Sequence, residues 1–232
     1  MLPVAILAGG LATRLRPITE TIPKALVAVA GQPFIFWQLN YLHGQGVRRV
    51  VLCIGYLGEM IEAVVGNGAR FGLEVTYVLD GPNLMGTGGA LKNALPILGD
   101  HFFVLYGDSF LPVDFGAVER AFLASGMVAL MTVLKNDDQW DKSNVLFSRG
   151  KLLHYNKRAP VQDMTYIDFG LGVVSAEVLD AYPDALPFDL GDVYHALSLQ
   201  GRLAGFEVNQ RFYEIGSHSG LKETEAFFLN KR

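Results

Sequence analysis

Short apolar runs alternate with segments of helical periodicity through the first half of the chain. The runs are apolar at nearly every position, which is typical of strands in a parallel sheet that helices cover on both faces. The predicted strands are PVAILA, VRRVVLCIG, LEVTYVL, HFFVLYG and MVALMTVL, and the helices between them are FIFWQLNYLHGQ, GEMIEAVVG, TGGALKNALPIL and DFGAVERAFLAS. We therefore expect an α/β fold with a doubly wound, mostly parallel sheet flanked by helices.

The pattern changes after Leu134. A polar loop, KNDDQWDKSN, precedes a predicted hairpin that turns at Arg149-Gly150 and then a strand, IDFGLGVVS. The remaining predicted elements are helices at 176–182 and 190–199, strands at 203–208 and 212–215, and a closing helix. The second half should therefore be a mixed, β-rich part built onto the parallel sheet.

Composition favours one domain over residues 1–232, with a first part of about 1–134 and a second part of about 135–232. Half of the residues are apolar and 18% are charged, which excludes disordered chains. The net charge of -4 argues against a nucleic-acid surface. No apolar run reaches the roughly 20 residues of a membrane span, and the first residues lack a signal-peptide pattern. We expect a cytoplasmic protein that binds neither nucleic acid nor membrane.

Cysteine and histidine offer little chemistry. Cys53 is the single cysteine, so no internal disulfide can form. The five histidines show no ligand spacing, which argues against zinc; they are His43, His101, His154, His195 and His218.

Glycine-containing segments follow the predicted strands, at the sheet edge where doubly wound folds bind ligands. The first of them, LAGGLATRLR, joins Gly9 and Gly10 to Arg14, and Lys24 follows nearby. Bare backbone amides beside cationic side chains suit phosphate oxygens. The spacing matches neither G-x-G-x-x-G with its later acidic residue nor the P-loop, which excludes those two nucleotide sites.

The stretch LAGGLATRLRPITETIPKALVAVAGQP closely resembles the signature of sugar-1-phosphate nucleotidylyltransferases, L-A-G-G-x-G-T-R-L-x-P-x-T followed by P-K and G-x-P. Ala12 replaces a usual glycine of that signature and would be strained in a glycine-only conformation. Four later segments extend the resemblance over nearly the whole chain: MGTGGAL, YGDSFL, YIDFGLGVV and FYEIGSHSGL. The family's E-K-P is NKR here, with Lys157 retained.

The resemblance implies a Rossmann-like fold and a set of site residues. It places nucleotide binding at Leu7, Ala8, Gly9, Gly10, Thr13, Arg14, Gly86, Thr87 and Gly88. It places the sugar phosphate at Asn144, Lys157, Asp168 and Gly170, with Asp168 in place of the family's asparagine. It implies catalytic roles for Arg14, Lys24 and Asp108, and Mg²⁺ bound by Asp108 and Glu214, where Glu214 stands in place of an aspartate.

The implied reaction joins a nucleoside triphosphate to a sugar 1-phosphate. The attacking phosphate monoester is already largely ionised at pH 7 because its second pKa is about 6, so no general base is required. Repulsion between two polyanions opposes the reaction, and catalysis should consist of positioning and charge neutralisation. We expect Arg14 to bind the outer phosphates and Lys24 the α-phosphate.

Compact length and the motif combination resemble most the enzymes that use GTP and D-glycero-D-manno-heptose 1-phosphate for bacterial surface polysaccharides. Three alternatives stay open: a mannose 1-phosphate guanylyltransferase, a muramic-sugar 1-phosphate uridylyltransferase, and a non-catalytic nucleotide-sugar sensor. A serine hydrolase is disfavoured because GSHSG has His218 where the nucleophilic serine would stand. The sequence leaves the subunit number open and is compatible with a homo-oligomer.

Overall fold

The structure, a computed structural model, describes residues 1–81, 84–184 and 186–230. Within these residues the strands are β1 (Val4–Leu7), β2 (Ala28–Val29), β3 (Gln32–Pro33), β4 (Arg49–Ile54), β5 (Glu74–Leu79), β6 (His101–Tyr106), β7 (Ser109–Phe110), β8 (Ala129–Lys135), β9 (Val145–Ser148), β10 (Lys151–Tyr155), β11 (Tyr166–Ser175), β12 (Leu203–Val208) and β13 (Tyr213–Glu214). The α-helices are α1 (Phe34–Gly44), α2 (Gly58–Val65), α3 (Gly86–Leu98), α4 (Phe115–Ser125), α5 (Ala176–Asp180), α6 (Leu190–Leu199) and α7 (His218–Leu229).

One large sheet carries nine of these strands. Strands β5, β4, β1 and β6 lie side by side in that order and run parallel. Next to β6 comes β11, which is antiparallel to it, and then β8 and β12, which are parallel to each other. The predicted α/β fold with a mostly parallel sheet is confirmed, and one strand from the second half lies between two strands of the first.

The predicted hairpin at Arg149-Gly150 is confirmed, since β9 and β10 pair antiparallel across two residues with positive φ. Helix α5 ends at Asp180, two residues before the predicted end. Two small sheets pair β2 with β3 and β7 with β13. Of these four strands only β13 was predicted. Strands of two residues are too short for an alternating pattern to reveal.

Helices cover both faces of the large sheet. The apolar sides of α1, α2 and α4 pack in one core on the first face, and those of α3, α5 and α6 pack in a second core on the other. A third cluster seats α7 on the small β7–β13 sheet through Phe228, Phe110 and Ile215. In the described part of the chain no helix combines the length and apolar character needed to cross a bilayer.

Hydrogen bonds between neighbouring chain segments continue for one residue past the carboxyl ends of the central strands. The amide of Ala8 donates to Cys53 O at 2.8 Å, that of Gly107 to Leu7 O at 2.9 Å, and that of Asp80 to Ile54 O at 3.0 Å. The loops that follow β1, β4, β5 and β6 are therefore held side by side, at the edge where this type of fold binds ligands.

Candidate active site

A cavity of about 260 Å³ opens at this edge of the sheet. The ends of β1, β4 and β6 and the residue after β5 border it, together with the segment around Lys24, the start of α3 and one residue before α6. Its lining residues are Leu7, Ala8, Gly9, Gly10, Ala12, Lys24, Ala25, Cys53, Asp80, Leu84, Gly86, Thr87, Ala90, Tyr106, Gly107, Asp108 and Asp189.

The glycine loop after β1 approaches neighbouring backbone closely. A Cβ atom on Gly9 would lie 3.1 Å from Gly55 N and 3.2 Å from Asp80 Oδ2, so a larger residue would crowd both. Ala12 adopts the left-handed conformation with φ of 50°, which alanine tolerates at some cost. Fully buried Leu15 fixes the following turn, which presents Arg14 and Arg16 on the exposed side.

Lys24 and Asp108 meet at the cavity wall. The Lys24 ammonium donates to Asp108 Oδ2 at 2.9 Å, and the Ser109 hydroxyl donates to Asp108 Oδ1 at 3.1 Å. Both charged side chains are partly exposed, at 19% and 27%. Lys24 follows Pro23, whose extended backbone directs it toward the sheet edge. In this position the ammonium can bind an anionic ligand and the carboxylate can bind a metal ion.

Arg14 and Glu214 reach the same region from opposite ends of the chain. A Cβ atom on Gly216 would lie 3.3 Å from both Arg14 Nη2 and Asp108 Oδ2 and would overlap the Glu214 carboxylate. The Glu214 carboxylate accepts from the Gly216 amide and from the Ser217 hydroxyl. A guanidinium and two carboxylates therefore border one small space, as the resemblance implies.

The two carboxylates fit a magnesium site. No group of three or more His, Cys, Asp or Glu side chains suited to a metal exists among the described residues. Mg²⁺ needs only one or two protein carboxylates, because waters and substrate phosphates complete its six ligands. Asp108 Oδ2 and Glu214 Oε2, both beside Gly216, provide hard oxygen ligands of that kind.

The start of α3 is tied to the segment before α6. The amides of Gly88 and Gly89 donate to Phe188 O at 2.9 and 3.3 Å, and the amide of Leu190 donates to the Thr87 hydroxyl at 2.8 Å. Asp189 Oδ1 lies 3.4 Å from both the amide and the hydroxyl of Thr87. The backbone donors of Thr87, Gly88 and Gly89 are thus already used within the chain.

Asp80 was missed by the sequence reasoning. It directly follows β5, it lines the cavity, and its Oδ1 is buried with no hydrogen-bond partner among the described residues. Burial raises the pKa of this carboxyl, and the Met85 amide partly opposes the rise. Cys53 lies in the same wall, where burial and the nearby Asp80 charge raise the pKa of its thiol to about 12. Asp80 is therefore the under-bonded acid of the cavity.

The predicted sugar-phosphate residues lie around Asp168, which Asn144 and Gly170 contact through hydrogen bonds and Lys157 through its charge. Asn144 Oδ1 accepts from the Asp168 amide at 2.9 Å, and Asp168 Oδ1 accepts from the Gly170 amide at 2.9 Å. The register between β11 and β8 shifts between Asp168 and Gly172, so an irregularity in the strand presents this acid. Burial raises the pKa of Asp168, while the Gly170 amide and the Lys157 charge lower it.

Most of the predicted nucleotide residues line the cavity, namely Leu7, Ala8, Gly9, Gly10, Gly86 and Thr87. Thr13 and Arg14 are exposed just beyond it, and Gly88 is buried beneath it. Their roles stay predictions. Two acids that the prediction lacked, Asp80 and Asp189, complete the wall. The position of Asp80 at a strand end was a usable signal, whereas nothing in the sequence places Asp189 beside Thr87, 102 residues away.

The family model for nucleotidyl transferases matches residues 4–142. The chain is 30% identical to an N-acetylmuramate alpha-1-phosphate uridylyltransferase of Neisseria meningitidis, over 95% of this chain and 96% of that protein. It is 33% identical to a D-glycero-alpha-D-manno-heptose 1-phosphate guanylyltransferase of Campylobacter jejuni, over 60% of this chain and 62% of that protein.

Another curated relative is longer than this chain. The chain spans 58% of the length of a UTP–glucose-1-phosphate uridylyltransferase of Synechocystis, to which it is 28% identical over 89% of its own residues. Among solved structures, HddC from Yersinia pseudotuberculosis in complex with GMP-PN superposes with a TM-score of 0.80 and 25% identity, covering 98% of this chain and 100% of that one.

Proposed function

This chain belongs to the nucleotidyl transferase family, and we propose that it transfers a guanylyl group from GTP to a heptose 1-phosphate. Its reaction class is that of the sugar-1-phosphate nucleotidyltransferases. A phosphate oxygen of the sugar 1-phosphate attacks the α-phosphorus, the bond from that phosphorus to the bridging oxygen breaks, and pyrophosphate leaves. The products are a nucleotide sugar and pyrophosphate.

The meeting of Arg14, Lys24 and Asp108 at one end of the cavity supports the reaction class. We assign Lys24 to the α-phosphate, where it neutralises charge that grows as the new bond forms. Arg14 and the Gly9-Gly10 amides bind the outer phosphates, which leave as pyrophosphate. The part before about residue 134 then holds the nucleotide, and Lys157 and Asp168 of the later part hold the sugar phosphate.

Magnesium is the proposed cofactor. Asp108 and Glu214 would hold the ion, and when bound it supplies positive charge that lets two phosphate groups approach each other. The protein contributes to catalysis by keeping both carboxylates beside Arg14. The hydrogen bonds from Ser109 and Ser217 to these carboxylates keep their side chains in place.

Asp80 is the observation that favours guanine. Guanine presents two neighbouring N–H donors, N1–H and N2–H, which match the two oxygens of a carboxylate. Uracil and thymine present one N–H between two carbonyl oxygens, which a buried carboxylate repels. Asp80 lines the cavity and its Oδ1 has no hydrogen-bond partner among the described residues, so the carboxylate can accept from guanine N–H groups once it turns toward the base. The solved relative bound to GMP-PN agrees with this choice.

The heptose is supported by the Campylobacter relative. A second candidate, transfer from UTP to a muramic-sugar 1-phosphate, is favoured by the Neisseria relative, which matches over 95% of this chain. The two candidates share the phosphate machinery and differ in the base and the sugar. A substrate panel therefore separates them.

The test is pyrophosphate release from GTP, UTP, dTTP, CTP and ATP, each with heptose, mannose, glucose and N-acetylmuramate 1-phosphates under saturating Mg²⁺. We expect the highest kcat/KM for GTP with heptose 1-phosphate. A maximum for UTP with the muramic sugar would replace the first candidate by the second. Tight binding of GDP-sugar without pyrophosphate release would instead assign the chain to a sensor. The Asp108→Asn chain, purified identically, controls for contaminating activity.

A further inference from the structure

Gln38 holds the turn that carries Asp108. It lies on α1, it is only 2% exposed, and its side chain points at the end of β6. The Nε2 group donates to Tyr106 O at 2.9 Å and to Ser109 O at 2.8 Å. These two carbonyls stand on either side of Gly107-Asp108, so one amide group bridges the turn.

The Gln38 side chain acts through its two N–H donors. Both partners of the side chain are backbone carbonyl oxygens, which accept hydrogen bonds. Only the NH₂ end of the glutamine amide can donate to them, so the orientation of the amide group is fixed. The Oε1 atom at its other end is buried and has no hydrogen-bond partner among the described residues. Keeping a half-satisfied amide in an apolar core is unfavourable, and a leucine or methionine of similar size would avoid that cost. The two N–H bonds to the turn are what distinguishes glutamine at this position.

The rest of the turn is fixed on the side of the cavity. The Gly107 amide donates to Leu7 O at 2.9 Å, and the Ile215 amide donates to Asp108 O at 2.9 Å. These bonds join the turn to the glycine loop and to the segment that carries Glu214. Gln38 adds the hydrogen bonds from the side of α1. Loss of those hydrogen bonds would let the Asp108 carboxylate move relative to Lys24 and Glu214, and displacements of about 1 Å are costly in such sites.

We propose that Gln38 is a positioning residue for Asp108, acting through the carbonyls of Tyr106 and Ser109 rather than by touching a substrate. The catalytic part of this proposal rests on the proposed function, whereas the structural part concerns the free chain. Helix α1 also offers a matched control, because the Tyr41 hydroxyl donates to Val113 O at 3.1 Å. That bond is of the same kind but reaches a loop three residues beyond β7.

The test compares Gln38→Met with Tyr41→Phe in the full chain. Amide hydrogen exchange of the peptide covering residues 106–110 should become about tenfold faster in Gln38→Met, and stay near wild type in Tyr41→Phe. Mn²⁺ titration of the free chain should show about tenfold weaker binding in Gln38→Met alone. We also expect kcat to fall by about 10- to 100-fold with the KM for the triphosphate within about twofold.

Wild-type exchange and Mn²⁺ affinity in a folded Gln38→Met chain would overturn the proposal. If that variant does not fold, Gln38→Leu also removes both N–H donors without placing an ionisable group in the core, and the same measurements apply. Failure of both to fold would assign Gln38 to the stability of the core and equally overturn the positioning role. If the wild-type chain releases no pyrophosphate from any substrate pair, the proposed function fails, but exchange and Mn²⁺ binding still decide the role of Gln38.

Discussion

Lys24 Nζ lies 2.9 Å from Asp108 Oδ2, although 84 positions separate the two residues in the chain. The ammonium that is assigned to the α-phosphate and the carboxylate that is assigned to the metal thus neutralise each other in the free protein. A partly exposed pair of this kind contributes little to stability. An entering phosphate and an entering cation can therefore replace it with a stronger contact for each partner.

Replacing Lys24 should separate folding from activity. We expect Lys24→Ala to fold normally and to lose roughly a hundredfold to a thousandfold in turnover, because the missing charge acts where negative charge grows. Pyrophosphate release gives the rate, and circular dichroism with thermal unfolding checks the fold. Lys151→Ala, on the exposed surface of β10, is the control and should keep its rate. Near-normal turnover in Lys24→Ala would remove Lys24 from the catalytic set.

Asp80 should determine the choice of base. In Asp80→Asn one of the two acceptor oxygens becomes an N–H group, which faces a guanine donor instead of accepting from it. We expect the ratio of kcat/KM for GTP to that for UTP to fall by about 10- to 100-fold, since a two-point contact is worth about 1–3 kcal/mol. Parallel assays with the two triphosphates measure it. Asp100→Asn, at an exposed position, should leave the ratio unchanged. An unchanged ratio in Asp80→Asn would mean that the base is selected elsewhere.

Asp168 should make the protein less stable at neutral pH. Burial raises the pKa of its carboxyl above the unfolded value of about 3.9, so the folded chain binds this proton more tightly than the unfolded one. The contribution to the free energy of unfolding is therefore present below the unfolded pKa and is lost as pH rises through the folded pKa.

Asp168→Asn removes the charge of this half-buried side chain and keeps an oxygen that can accept from the Gly170 amide. We expect its Tm at pH 7 to rise by about 2–4 °C, the effect of roughly 1 kcal/mol in a chain of this size. The gain should shrink in acid. Thermal unfolding between pH 4 and 8 measures both effects, with exposed Asp163→Asn as the control. A lower Tm throughout would show that the negative charge stabilises the fold.

A side chain at Gly216 should disturb the two carboxylates assigned to magnesium. An added Cβ would overlap the Glu214 carboxylate and press on Arg14 and Asp108. The Glu214 side chain is flexible enough to move away, so we expect Gly216→Ala to fold while losing about 10- to 100-fold in kcat and requiring more Mg²⁺. Titration of the rate with Mg²⁺ measures both. In Gly44→Ala the new Cβ would meet no described atom within 4 Å other than its chain neighbours and the backbone of its own helix, and activity should be unchanged. Wild-type magnesium dependence in Gly216→Ala would exclude Glu214 from the metal site.

Local patterns were sufficient to predict the order of the α-helices and of the strands in the large sheet. Buried strands such as VVLCI and amphipathic helices such as EMIEAVV differ in periodicity, and glycines mark where they end. The site residues at strand ends followed from the fold class together with the family signature. The motifs around Arg14, Lys24 and Asp108 predicted a shared location, and the structure brings these residues together.

Contacts between distant segments were not predictable in the same way. The place of β11 in the sheet depends on which strands pair with it and which helices bury its two faces. A run of apolar residues does not indicate which strands those are. The contact of Asp189 with Thr87 depends on how the segment before α6 crosses the start of α3. Asp80 was missed because none of the family motifs contains it, although the rule for strand ends applies equally to β5.

The position of β11 between β6 and β8 has a consequence for synthesis of the protein. Both neighbours have left the ribosome by the time residue 135 emerges, yet the ten-residue strand that joins them spans residues 166–175. Until then the nascent chain exposes one unpaired edge of β6 and both edges of β8, because β12, the other partner of β8, follows later still. A pause in translation within that interval would therefore prolong the time during which the unfinished protein can aggregate.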